Sequence, residues 1–219
     1  MPEDSTESRK GLLRFARNDS LERLSADIIA CSKCPRLRTY CRKVARDKKR
    51  EFRAATYWGK PVPGFGDPAA RVLIIGLAPA AHGANRTGRI FTGDSSGNWL
   101  YRALFKAGFA SQPNSISRDD GLRLDGAYIS ATCRCAPPGN RPSSNEIANC
   151  RPYLEREIEW LHNLKVVVCL GRIAFDNYLR ILKSRGIATR GCEFGHGRIF
   201  FSPSPAPPPP IRQSLRAGS

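Results

Sequence analysis

The chain has 219 residues, 41% of them hydrophobic, and 36 Lys and Arg against 19 Asp and Glu, a formal charge of +17. That size supports one domain around a single core, and that hydrophobic share suits a folded globular protein better than a disordered one. The charge favours polyanionic partners through counterion release. No run approaches the roughly 20 apolar residues of a membrane-spanning helix, and the N-terminal MPEDSTESRK lacks the apolar core of a secretion signal. The reading is a soluble intracellular protein with nucleic acid as its leading partner class and no membrane partner.

Residues 1–19 mix charges with little apolar content and read as a mobile tail ahead of a single domain at 20–201. From Ser20 a helical pattern puts Leu21, Leu24, Ile28 and Ile29 on one face, and it stops at CSKCP, where Pro35 discourages continuation. Residues 36–53, RLRTYCRKVARDKKREFR, hold nine basic and two acidic residues. They read either as a solvated helix face or as a phosphate-contacting strip. An aromatic, Pro- and Gly-rich loop follows, YWGKPVPGFGD at 57–67. RVLIIG then lacks alternation and reads as a buried strand. In residues 94–108, DSSGNWLYRALFKAG, Asp94 and Ser95 are cap candidates. Leu100, Leu104 and Phe105 recur at helical spacing, and Gly108 can end the helix.

GAYISATC, at 126–133, is a second strand, followed by the loop RCAPPGNRP. Ser143 and Glu146 form a capping box for a helix with Ile147, Cys150, Leu154, Ile158 and Leu161 on one face and a kink expected at Pro152. KVVVCLG is a third buried strand, 172–185 a further helix, and GRIFFS, at 197–202, a fourth strand. This alternation predicts an α/β fold with a parallel sheet covered on both faces. Residues 202–219, SPSPAPPPPIRQSLRAGS, contain six prolines and no apolar periodicity, the pattern of a disordered tail.

The segment GLAPAAHGANRT follows the first long strand. It has neither the G-x-G-x-x-G spacing of a dinucleotide fold nor the G-K-[ST] of a P-loop. Ligands in open parallel sheets bind beyond the carboxyl ends of strands. Gly76, Ala78 and Ala80 leave that edge shallow enough for a flat ring or a sugar–phosphate to reach the backbone, with His82, Asn85, Arg86 and Asp94 close behind. Eight cysteines stand in a reducing setting, which argues against structural disulfides. The C-x-x-C of Cys31 and Cys34, far in sequence from Cys133, Cys135 and Cys150, has the spacing of a metal site closed across the fold.

GLAPAAHGANRTGRIFTGDSSGNWL, with YWGKPVPGFGD before it and CRCAPPGNRPS and NC after it, resembles the type 5 uracil-DNA glycosylases. These are iron–sulfur members of their superfamily, and the resemblance runs from about residue 20 to about residue 200. It implies a three-layer αβα fold with a central four-stranded parallel sheet, acting as a monomer on uracil-containing DNA in base-excision repair. The target base is flipped into a pocket, and its N-glycosidic bond is hydrolysed to leave an abasic site. Other deaminated bases fall within the implied range. The resemblance also implies a [4Fe–4S] cluster on Cys31, Cys34, Cys135 and Cys150, four soft thiolates for four external sites. Spacing alone leaves structural zinc open, and Cys133 is an alternative to Cys135.

On the same grounds Asp94 matches the position that holds the attacking water, Asn140 a second catalytic position, and Phe91 the aromatic that stacks on the extruded base. The backbone of Ala78, Pro79 and Ala80 would line the sugar side. Each residue also has a plainer reading: Asp94 a helix cap, Asn140 a turn former, Phe91 a core residue, His82 a loop residue or phosphate contact. Position 77 is Leu, where other uracil glycosylase families carry a polar residue, which leaves Asp94 more of the task.

One departure stands out. The family pattern includes a Ser-x-His-Pro-Ser loop whose histidine donates to a uracil oxygen. Here the corresponding stretch is IFFSPSPAPPPP, with Ser202, Pro203 and Ser204 in that place and no imidazole. Loss of one preorganised donor slows catalysis by about 10²–10³. The departure therefore predicts weakened or absent turnover, or a gene model truncated or shifted in frame near its end. The rival functions are a cluster-bearing DNA-binding relative without catalysis and a zinc-stabilised nucleic-acid-binding domain.

Overall fold

The computed structural model describes residues 20–201. Both predicted tails, and with them Ser202, Pro203 and Ser204, lie outside the described residues. The fold is organised by strand β2, Val72–Gly76, whose unbroken apolar run is explained by burial on both sides. Side chains alternate across a strand. Leu73 and Ile75 accordingly enter one cluster with Leu21, Leu24, Leu154 and Ile181, while Ile74 enters another with Ile90, Tyr101, Leu104 and Ile129. Helices α1 (residues 20–30), α5 (Ser144–Trp160) and α6 (Arg172–Ser184) cover the first face, and α4 (Ser95–Lys106) with its flanking loops covers the second. This is the three-layer α/β arrangement.

The sheet has four strands in the order β1-β3-β2-β4. β3 (Ala127–Ala131) and β4 (Val166–Cys169) run parallel to β2, with Ile74 opposite Ile129 on one side and Val168 on the other. The remaining strand departs from expectation. β1 is only Phe65–Gly66, inside the aromatic loop, and pairs antiparallel with β3. GRIFFS supplies no strand over 197–201. Gly197 takes φ 69°, and the Arg198 N–H closes a turn on the Gly195 carbonyl at 3.3 Å, so the backbone is folded where a strand would start. Beyond that turn Phe200 packs on Phe175 at 5.7 Å.

β4 is thus an edge, and its outward residues stay open, with Val166 50% and Val168 38% exposed, against the expectation of a fully buried strand. On α4 the buried residues are Gly97, Tyr101 and Leu104, while Phe105 faces outward, because the helix turns its Tyr101 stripe to the sheet. Helix α2 (Pro35–Asp47) begins at Pro35, so that residue both ends α1's pattern and opens the next helix, where its missing N–H costs nothing. The capping box of Ser143 and Glu146 is formed at α5, which runs on through Pro152. Among the described residues no helix is long and apolar enough to cross a membrane.

Candidate active site

β2 and β3 end side by side, and their pairing continues one step past the strands. The N–H groups of Thr132 and Cys133 donate to the carbonyls of Gly76 and Leu77, each at 2.9 Å. The two following loops therefore leave the sheet together, one carrying GLAPAAHG and the short helix α3 (Ala84–Thr87), the other carrying CRCAPPGN. Between them opens a cleft of about 450 Å³, lined by Tyr40, Lys49, Ala80, His82, Asp94 and Asn140 among others. Its size and place suit a small ligand at the carboxyl ends of parallel strands. A larger hollow of about 690 Å³ lies between Phe65, Phe109 and Asp125 and contains none of the predicted site residues.

Asp94 is both cap and cleft residue. Its Oδ1 accepts from the Gly97 N–H at 2.9 Å at the start of α4, and its Oδ2 lies against Gly83, where a Cβ would collide with it. Its loop is tied to the opposite wall by Arg86, whose Nε donates to the His82 carbonyl at 2.8 Å and whose Nη2 donates to the Gly93 carbonyl at 3.0 Å. Asn140 follows Gly139, both at positive φ (56° and 59°), a region that Asn tolerates better than most side chains. Its amide makes no hydrogen bond among the described residues and sits exposed at the cleft's rim.

Phe91 holds a strained backbone, φ 52°, unusual for a bulky residue. The surroundings over-determine it. The Tyr101 hydroxyl donates to the Ile90 carbonyl at 3.0 Å, Thr87 Oγ1 to the Thr92 carbonyl at 3.2 Å, and the Phe91 carbonyl packs where Gly97 lacks a Cβ. Beneath lies a buried network in which Arg89 pairs with Asp120 at 2.7 Å and with Ser115 and Thr92. Burial works against ionisation of Asp120, but Arg89 and the backbone amides of Ile116, Leu122 and Ser117 hold its carboxyl well below the usual range. The Phe91 ring lies over Gly76, where a Cβ would come within 2.7 Å of it.

The structure thus gathers Ala80, His82, Asp94 and Asn140 around one cleft. Gly76 and Phe91 touch each other outside its lining, and Ala78 and Pro79 lie in the loop that leads from β2 to it. Sequence reasoning missed Tyr40, Lys49, Phe52 and Gly83 as cleft residues. The first three lie in or beside the basic stretch, where aromatics interleaved with cations were a usable signal. Gly83 carried none, since its importance is a contact made eleven residues away in sequence.

Six cysteines occur on three converging pieces: the turn before α2 and α2 itself, the loop after β3, and α5. Cys133 sits beside Cys150, whose thiol is brought down to about 7 chiefly by that neighbour, against burial, with help from the backbone of Arg134. Cys34 accepts from Asn149 at 3.5 Å, and Cys31 lies near the Tyr153 hydroxyl. Cys135 pairs with Cys41 and accepts from Arg38 Nη1 at 3.9 Å. Among the described residues no three His, Cys, Asp or Glu side chains are drawn together as a metal site. The donor chemistry, free and largely buried thiols beside the cationic Arg38 and Arg134, nonetheless fits a soft-metal centre. Arg134 is itself held by Glu157 at 2.5 Å, which fastens the cysteine loop to α5.

The description of the Uracil DNA glycosylase superfamily matches residues 63–208. A type-5 uracil-DNA glycosylase of Thermus thermophilus is 48% identical over 176 residues, spanning 80% of this chain and 78% of its own. One from Pyrobaculum aerophilum is 43% identical over 183 residues, spanning 82% and 80%. A type-4 uracil-DNA glycosylase of Sulfurisphaera tokodaii is 31% identical over 177 residues, spanning 77% and 66%. With the motif loops meeting at the sheet's carboxyl edge and matches of this extent, the chain belongs to the uracil-DNA glycosylase superfamily.

Proposed function

We propose that this protein is a uracil-DNA glycosylase of base-excision repair, acting as a monomer on uracil-containing DNA and accepting other deaminated bases. The observation that carries this reading is the meeting of the Asp94 carboxylate, the Asn140 amide and His82 on one cleft at the ends of β2 and β3.

In this reading the flipped nucleotide enters the cleft with its sugar toward the backbone of Ala78, Pro79 and Ala80. As the glycosidic bond stretches, the sugar gains positive charge and the base gains negative charge. Asp94, with Oδ1 engaged by the helix cap, keeps Oδ2 to hold a water beneath the sugar and to stabilise its cation. The unpartnered Asn140 amide donates to the departing base, and Phe91, which packs on Gly76 outside the cleft lining, stacks on the base only where the base reaches past that lining. Water adds to the sugar carbon, the base leaves with the bonding electrons, and the proton lost by the water is carried off through Asp94.

A [4Fe–4S] cluster would be held by Cys31, Cys34, Cys135 and Cys150, and it would supply a brace joining α2, the loop after β3 and α5. The thiols of Cys41 and Cys133 stay outside that set.

The test is release of free uracil from a uracil-containing duplex by the full chain. Asp94→Asn keeps a capping oxygen while removing the charge, and it should slow excision by about 10²–10³ without moving the melting temperature. An unchanged rate in that variant would remove Asp94 from the reaction.

A further inference from the structure

His82 lines the cleft beside Asp94 and Asn140, and its Nδ1 lies 2.9 Å from the hydroxyl of Tyr57. Tyr57 is 9% exposed, and among the described residues its O–H has no other acceptor. Either atom can donate in such a bond, but a nearly buried phenol with a single protein acceptor in reach is satisfied by giving its proton to that acceptor. With Nδ1 accepting, the proton of the neutral ring sits on Nε2. The two rings meet edge to face, 6.0 Å apart at 86°, so the imidazole cannot flip without breaking this bond. The backbone at His82 is pinned as well, since its carbonyl accepts from Arg86, which also grips Gly93 beside Asp94. Nε2 has no protein partner among the described residues.

We infer that Tyr57 is a positioning residue that fixes His82 in the Nε2–H tautomer, a donor aimed at an anionic oxygen of the bound nucleotide. That oxygen belongs either to the departing base or to a flanking phosphate. The choice of substrate rests on the glycosylase reading; the tautomer does not. A donor locked in orientation before the ligand arrives costs no reorganisation when charge develops, which is how a single hydrogen bond becomes useful in a cleft.

Long-range ¹H–¹⁵N spectra of the full chain, with His82 assigned through His82→Gln, read the tautomer directly. The expected spectrum shows Nε2 protonated and Nδ1 bare, and Tyr57→Phe shows both tautomers. In parallel, single-turnover uracil excision and binding to an abasic-site duplex are compared for wild type, Tyr57→Phe, His82→Gln and the double variant. Tyr57→Phe should lower one quantity about 3- to 10-fold, the range of one hydrogen bond. A loss in the saturating rate assigns the oxygen to the base, and a loss in abasic-duplex affinity assigns it to a phosphate. In the His82→Gln background Tyr57→Phe should add nothing, because the two residues act as one unit. A proton on Nδ1 in the wild type, or a Tyr57→Phe variant with unaltered spectra, rate and affinity, overturns the inference. Should wild type fail to excise uracil while the tautomer is as expected, the glycosylase reading falls and the positioning role of Tyr57 stands.

Discussion

Gly83 and Asp94 illustrate how one missing methyl group can decide a site. The Asp94 carboxylate occupies the space a Cβ on Gly83 would need. Gly83→Ala should therefore push Oδ2 out of the cleft and reduce excision about as much as Asp94→Asn, while thermal unfolding stays close to wild type. A Gly83→Ala variant with full activity would show that the carboxylate's position is not set this way. A second residue-scale case is Asp120, whose side chain is 11% exposed and paired with the 3% exposed Arg89. Removing one partner of such a buried pair costs about 3 kcal/mol or more, so Asp120→Asn should lower the denaturation midpoint sharply. Because the folded pKa is depressed, this contribution is complete above the ordinary carboxylate value near 4 and is lost as pH falls below it. Wild type should accordingly lose stability between about pH 4 and pH 2 more steeply than Asp120→Asn, as followed by denaturant titration at each pH.

At the scale of elements, the basic stretch resolves into two parts. On α2, Lys43 and Arg46 are engaged by Asp47, Arg36 by Glu146, and Arg38 turns inward to the Gly59 carbonyl and Cys135. Past its end, Arg50 and Arg53 are exposed and lie on either side of Phe52, which is itself stacked by Arg86 at 4.0 Å on the wall of the cleft. Of the two readings the sequence left open, the phosphate strip suits this second part. Replacing Arg50 and Arg53 with Gln should weaken duplex binding alike for uracil-containing and normal DNA. The salt dependence of log K should flatten by about 0.9 for each phosphate that is no longer neutralised. An unchanged salt slope would return these residues to the solvated face. The long helices and β2 were legible because their signals are local: caps, periodicity and an unbroken apolar run. β1 was not, since two residues in a Pro- and Gly-rich loop become a strand only when β3 presents an edge. GRIFFS had strand composition, yet a turn at Gly195–Arg198 took its backbone elsewhere.

For the molecule as a whole, the cysteine arrangement and the sheet edge bear on each other through stability. If a cluster braces α2, the loop after β3 and α5, anaerobically prepared protein should carry iron rather than zinc by elemental analysis, and chelating it should lower the melting temperature. Cys135→Ala should then lose the iron and Cys133→Ala retain it; the reverse result would exchange the two in the ligand set. The open edge of β4, with Val166 and Val168 uncovered, is the least protected part of the sheet.

Taken alone, the order of residues determined the α/β class, the β2 and β3 strands, the caps of α4 and α5, and the motif loops, because each is written in contiguous chemistry. Only the tertiary structure decided which motif residues share a cleft and which cysteines face one another. It also decided that Tyr57 and Gly83 matter to His82 and Asp94. Those relations are contacts between segments brought together by the sheet, and a contact across space leaves no mark on the spacing of residues along a chain.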